Sequence, residues 1–161
     1  MIENDKPVKI GITGSYGGMN MGDEAILQSI LAQIRCSIKA EIVVFSRDPA
    51  DTYRRHKVEK SVPVRSLSRR ESELIVKDLD VLIVGGGGIL YDFDAKIYLR
   101  EAQIAYEKSV PTMFYAVGAG PLNDPESQKL VREVLNYASI VTVRDKPSFR
   151  LLEDIGVLRE I

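Results

Sequence analysis

The sequence predicts an α/β fold, a doubly wound parallel sheet, and three observations carry that expectation. Short apolar runs alternate with amphipathic stretches of about ten or more residues, a pattern that implies parallel strands joined by right-handed helical crossovers. One run, Asp80-Val81-Leu82-Ile83-Val84, is continuously apolar, as a central strand covered on both faces is. Three glycine-rich segments each follow an apolar run: Gly14-Ser15-Tyr16-Gly17-Gly18 leading to Asp23, the unbroken Gly85-Gly86-Gly87-Gly88, and Gly118-Ala119-Gly120-Pro121. A glycine costs roughly 0.5–1 kcal/mol relative to alanine in regular structure. Such turns imply a close approach to bare backbone or a left-handed conformation.

The elements follow in order. Val8 to Thr13 reads as the first strand, and a helix from about Asp23 to Arg35 carries one stripe of Ile26, Leu27, Ile30, Leu31 and Ile34. Glu41 to Ser46 is the second strand; Asp48-Pro49 then supplies an N-cap and a first-turn proline. Lys57 to Val64 is expected at a sheet edge, because Pro63 cannot donate to a ladder. Ser68 with Glu71 has capping-box spacing for a helix to Lys77. After the central strand, a helix from about Asp94 to Lys108 leads to a strand at Thr112 to Val117. Asp124-Pro125 opens the next helix, Ile140 to Val143 is the last strand, and a helix from Pro147 to Asp154 ends at Gly156, a natural C-cap. The commonest order for such a sheet, 3-2-1-4-5-6, places the first and fourth strands side by side where the winding reverses, and ligands bind at that crevice. All three glycine segments then face one site.

With 161 residues the chain is expected to form a single domain. Apolar residues make up 45% and charged residues 28%, a globular composition without a run long enough to span a bilayer. A net charge of −1 supplies no basic field for nucleic acid. Cys36 is the only cysteine, so disulfide frameworks and thiolate metal sites are excluded within one chain, and no signal peptide is expected before the first strand. A cytoplasmic location follows as the expectation.

The first glycine turn lacks the G-x-G-x-x-G spacing of a dinucleotide site and the Gly-Lys ending of a P-loop. Asp23 and Glu24 at the helix start suit the helix dipole but would repel a phosphate docked on the same amides. Asp23 or Asn20 is therefore a helix cap, or Asp23 is an acceptor or general base for a sugar hydroxyl with Asn20 and Tyr16 alongside. The run through Gly86, Gly87 and Gly88 either cradles an anion on its amides or permits tight packing. Asp92 and Asp94 read as caps, since no His or Cys accompanies them as metal ligands, and His56 reads as a solvated surface residue. Arg144, just after the last strand, suits a carboxylate or phosphate through its fork, or pairs internally with Asp145. Ser148 is a first-turn helix residue or a ligand hydroxyl.

At these residues the chain resembles the polysaccharide pyruvyl transferase family. The matching segments are the first glycine turn running into Asn20-Met21-Gly22-Asp23-Glu24-Ala25-Ile26-Leu27, then Asp80 to Gly88, Gly118 to Pro121, and Val143-Arg144-Asp145-Lys146-Pro147-Ser148, with Leu152 and Gly156 beyond. The resemblance implies a Rossmann-like domain, the amino-terminal half of a two-domain enzyme of glycosyltransferase-B architecture. It implies transfer of pyruvyl from phosphoenolpyruvate, the donor substrate, to two hydroxyls of a glycan or lipid-linked saccharide, with no cofactor and no obligatory metal. Asp23 and Arg144 are then the catalytic candidates, and Gly14, Tyr16, Gly17, Gly18, Asn20, Gly86, Gly87, Gly88, Gly118, Gly120 and Ser148 the substrate-binding ones. The general-acid histidine is expected in the carboxyl-terminal half, so this chain alone is expected to be inactive. The implied location is cytoplasmic, or peripheral at the inner face of a membrane. A sugar-nucleotide glycosyltransferase of the same architecture and a non-catalytic binding domain are the rival readings.

Overall fold

The computed structural model describes residues 6–92 and 94–161. Its elements are β1 (Val8–Thr13), α1 (Met21–Ser37), β2 (Ala40–Ser46), α2 (Pro49–His56), β3 (Lys60–Pro63), α3 (Arg69–Val76), β4 (Val81–Leu90), α4 (Ala95–Tyr98), α5 (Arg100–Glu107), β5 (Thr112–Ala119), α6 (Pro125–Tyr137), β6 (Ile140–Val143) and α7 (Lys146–Asp154). The strands form one six-stranded sheet in the order β3-β2-β1-β4-β5-β6, and every pairing is parallel. This is the doubly wound, Rossmann-like arrangement, with β1 beside β4 at the point of reversal.

Alternation within each strand feeds two cores. Ile42 and Val44 of β2 and Ile83 of β4 pack with Leu27, Ile30 and Leu31 of α1. Their neighbours Val43, Phe45, Leu82 and Val84 point the other way, into a larger core completed by Val76, Ile104, Val131 and Leu135. Burial of each such side chain stabilises the fold by about 1.5–3 kcal/mol, and a two-sided requirement explains why β4 reads as unbroken apolar sequence.

Local signals behave as their chemistry dictates. Asp48, Asp124 and Asp145 each accept a backbone N–H at a helix start, with a proline in the first turn. Ser68 and Glu71 form the reciprocal capping box, and β3 lies at the sheet edge with Pro63 as its last residue. Gly156 takes φ +88 after α7, and Val157 N–H reaches back to Leu152 O at 2.9 Å.

Several expectations change, and the segment expected to turn at Gly118 remains strand to Ala119, the end of β5, because β4 pairs beside it. The glycine run is not a turn: β4 continues through Gly85–Gly88 to Leu90, because β5 pairs alongside it, Gly85 with Tyr115, Gly87 with Val117 and Gly88 with Gly118. Gly86 and Gly87 have φ of 72 and 82, so the strand bends where an L side chain is strained. The helix expected from Asp94 is two helices divided at Leu99. His56, the last residue of α2, is not at the surface but 4% exposed, its ring turned to Glu24 of α1.

Candidate functional site

The loop from β1 into α1 is anchored on three sides. Tyr16 is fully buried and donates its hydroxyl to Gly85 O at 2.8 Å; burial pushes its hydroxyl pKa well above the ordinary tyrosine value, with the charges of Asp23 and Glu24 adding to the shift. Gly17 N–H donates to Glu24 Oε1 at 2.8 Å, and His56 Nε2 meets Glu24 Oε2 at 2.7 Å. Arg47 N–H donates to Tyr16 O at 3.0 Å. Gly17, at φ +71, fits because a Cβ there would lie 2.1 Å from Ser46 Oγ and 2.6 Å from Asp48 N. The loop is thus pinned to β4, α1 and the end of β2.

Asn20 settles the capping question. It is the N-cap of α1, and its Oδ1 accepts Gly22 N–H at 2.9 Å. Asp23, in the first turn, is left with no hydrogen bond or ion pair among the described residues. Its Oδ1 would stand 2.8 Å from a Cβ on Gly87, so the bare strand makes room for this carboxylate.

Around Asp23 lies a cleft of about 470 Å³ lined by Ser15, Gly18, Asn20, Asp23, Arg47, Arg65, Gly88, Tyr91, Asp94 and Tyr98. Apart from Gly88, which lies near the end of β4 itself, these residues follow the carboxyl ends of β1, β2, β3 and β4, the edge where doubly wound sheets hold ligands. Arg47 Nη2 donates to Ser15 Oγ at 2.8 Å and to Tyr98 OH at 2.7 Å. Tyr91 donates to Asp94 Oδ2 at 2.5 Å, and that bond, with partial burial, holds its hydroxyl pKa up at about 12. Tyr98 OH in turn donates to Ser15 Oγ at 3.2 Å, so both cleft tyrosines are already committed as donors.

Arg144 stands beside this cleft. Its guanidinium covers Gly118, where a Cβ would lie 2.6 Å from Cζ, and reaches to within 3.7 Å of the corresponding position on Gly88. Its Nε donates to Asp145 Oδ2 at 2.9 Å, and its side chain is 52% exposed. The pairing with Asp145 and an accessible guanidinium thus coexist, since the fork has donors to spare.

The structure therefore sorts the sequence candidates into two groups. Gly18, Asn20, Asp23 and Gly88 line the cleft, with Gly87 behind Asp23 and Gly118 under Arg144. Gly14, Tyr16, Gly17 and Gly86 lie behind the wall: a Cβ on Gly14 would meet Gly85 O at 2.4 Å, and one on Gly86 would meet Ile26 Cγ2 at 2.3 Å. These glycines serve packing, and Tyr16 is a core residue without a ligand-facing surface. Ser148 is buried and accepts Ala119 N–H at 3.0 Å, while Gly120 stands against Leu151. Asp92 accepts the N–H groups of Asn123 and Asp124 and shapes the loop before α6.

Sequence reasoning passed over Ser15, Arg47, Arg65, Tyr91 and Tyr98. Arg47 carries the signal that singled out Arg144, an arginine directly after a strand. Tyr91 and Tyr98 carry none, because only the turn after β4 and the short α4 aim them inward.

A family model of polysaccharide pyruvyl transferases matches residues 20–161, from the α1 cap through Asp23, Gly88 and Arg144. The chain belongs to that family. A search of curated proteins found no match. Among solved structures, the molybdenum cofactor binding protein from the phototrophic bacterium Rippkaea orientalis is similar, with 14% identity and a TM-score of 0.51 over 93% of this chain and 98% of that one. At such low identity the likeness shows the fold alone. Membership of the pyruvyl transferase family supports transferase activity with a glycan acceptor. Among the described residues no helix is long and apolar enough to cross a membrane.

Proposed function

We propose that this chain is the amino-terminal, acceptor-facing half of a ketal-pyruvyl transferase of glycosyltransferase-B architecture, using phosphoenolpyruvate as donor. The observation that carries this reading is the unpartnered Asp23 carboxylate facing a cleft whose floor is bare strand backbone. A carboxylate without a hydrogen-bond partner, standing against the bare backbone of Gly87, suits an acceptor hydroxyl better than a nucleotide phosphate, which it would repel.

The chemistry balances in two steps. A general acid supplied by the second half protonates the methylene carbon of the donor, and a sugar hydroxyl attacks C2 as Asp23 takes its proton. The resulting tetrahedral adduct then loses phosphate as the second hydroxyl attacks C2, closing the ketal while that hydroxyl's proton passes to the departing phosphate. Arg144 engages the donor's carboxylate or departing phosphate through the guanidinium face left open beside Asp145.

The test is phosphate release from phosphoenolpyruvate by the intact enzyme, with mass analysis of the glycan for a pyruvate ketal. Asp23→Asn and Arg144→Ala are expected to lower turnover with the fold retained. Product formation that needs a sugar nucleotide and leaves phosphoenolpyruvate unconsumed would sink the reading in favour of glycosyl transfer.

A further inference from the structure

The cleft contains a second cationic position, separate from Arg144, on the β2 and β3 side. Arg47 is half-buried, and its Nη2 is fully used by Ser15 and Tyr98. Its Nη1 faces Gly18, where a Cβ would come within 2.8 Å and close the approach. Among the described residues neither Arg47 nor Arg65 has a carboxylate partner, although both line the cleft.

Proton counting adds a third donor. Ser15 Oγ accepts from Arg47 Nη2 and, at 3.2 Å, from Tyr98 OH, so both of its lone pairs are occupied. Its own O–H proton is left for a ligand, because a hydroxyl has one donor and two acceptor sites. Arg47 Nη1, Ser15 O–H and the free Arg65 guanidinium therefore make an oxyanion-binding wall. The same cleft also holds carboxylates, Asp23 and Asp94, which accept from hydroxyl donors.

We propose that Arg47, Arg65 and Ser15 form a phosphate subsite for the acceptor, so that the saccharide ketalised beside Asp23 carries a phosphate group. The Arg65 fork, Arg47 Nη1 and a hydroxyl together offer more donors than the two oxygens of one carboxylate engage, and they match the three or more oxygens of a phosphate. The sugar hydroxyls then point to Asp23 while the phosphate sits across the cleft. This assignment rests on the acceptor-facing reading above and adds the chemical class of the acceptor.

Calorimetric titration of this chain tests it, with a hexose 1-phosphate, the unphosphorylated hexose, a hexuronate and phosphoenolpyruvate as probes. Arg65 is exposed and unpartnered, so Arg65→Met leaves the fold intact; Arg47→Met, which also releases Ser15 and Tyr98, is the companion variant. The hexose 1-phosphate is expected to bind at least about tenfold more tightly than the hexose or the hexuronate, from charge-assisted bonds. Arg65→Met removes about tenfold of that affinity, and Arg144→Met changes it less than about twofold.

Equal binding of hexose and hexose phosphate, tighter binding of the hexuronate, or an Arg65→Met variant with wild-type affinity overturns the subsite. Loss of phosphoenolpyruvate affinity in Arg65→Met, with hexose phosphate unaffected, assigns the wall to the donor and overturns it too. Arg65-dependent binding of the sugar phosphate by a protein whose intact form never consumes phosphoenolpyruvate leaves the subsite standing and removes the pyruvyl reading instead.

Discussion

Glu24 is the residue on which the loop above the cleft depends, and Glu24→Ala is the substitution whose cost the structure makes most explicit. Its carboxylate is buried and accepts from Gly17 N–H at 2.8 Å and from His56 Nε2 at 2.7 Å. Alanine strands both donors in the interior. A buried donor left without an acceptor costs about 1–3 kcal/mol, more where the lost acceptor was charged. Two such donors give about 4 kcal/mol. With about 2.1 cal/mol/K of unfolding entropy per residue, a chain of 161 residues loses its structure about 12 °C earlier. Glu24→Gln should cost far less. Its amide oxygen still accepts Gly17 N–H, its NH₂ donates to Nε2, and the imidazole proton moves to Nδ1, which faces Gln28 Oε1 at 3.0 Å. Scanning calorimetry of the three proteins, with amide exchange at Gly17, checks the scheme. A Tm loss below about 3 °C for Glu24→Ala, or equal losses for the two variants, would refute the reasoning.

Other consequences follow from the same geometry. Gly86→Ala places a methyl 2.3 Å from Ile26 Cγ2 at φ +72 and should destabilise by about 2–5 kcal/mol, combining left-handed strain with overpacking, whereas Gly88→Ala should fold normally because its nearest neighbours are the ends of Arg144 at 3.7 and 3.9 Å; urea unfolding separates the two. Asp23→Asn should alter stability by no more than about 1 kcal/mol, the scale of a helix-dipole contact, yet lower turnover of the intact enzyme by about 10²–10⁴, the span of a general base. Glu71, Asp124 and Asp145 each have a pKa lowered first by a serine hydroxyl, at Ser68, Ser127 and Ser148. Their folded pKa values lie below the unfolded ones, so their stabilisation is complete above about pH 4–5 and disappears as the pH falls through the folded values. A Tm profile on acidification should decline there, and Asp124→Asn with Asp145→Asn, which keep the caps, should flatten it. Glu101 works in the opposite sense: burial raises its pKa, so protonation relieves a cost near and above the ordinary carboxylate range.

Much of the fold was legible because its signals are local. Asp-Pro pairs, the Ser68 and Glu71 spacing and the Gly156 stop act within one helical turn, and the strand order is the commonest one for a doubly wound sheet. The glycine run was misjudged as a turn because the pairing that keeps it in the sheet comes from β5, about thirty residues away, on the spacing of a single crossover unit. His56 was misjudged for a related reason: its charged neighbours Arg54, Arg55 and Lys57 are solvated, while its own partner Glu24 lies on another helix.

The sequence by itself determined the sheet, its switch point and the edge where ligands belong, since these depend on hydrophobic periodicity and on turn and cap chemistry near each residue. It also singled out Asp23 and Arg144. Tertiary structure alone decided which glycines are floor and which are packing, that Asn20 takes the cap and so leaves Asp23 free, and that Arg47, Arg65, Tyr91 and Tyr98 share its cleft. Those outcomes depend on which side chains meet across strands far apart in the chain. The steric limit of 2–3 Å around Gly14, Gly17 and Gly86 exists only after the strands have closed on one another.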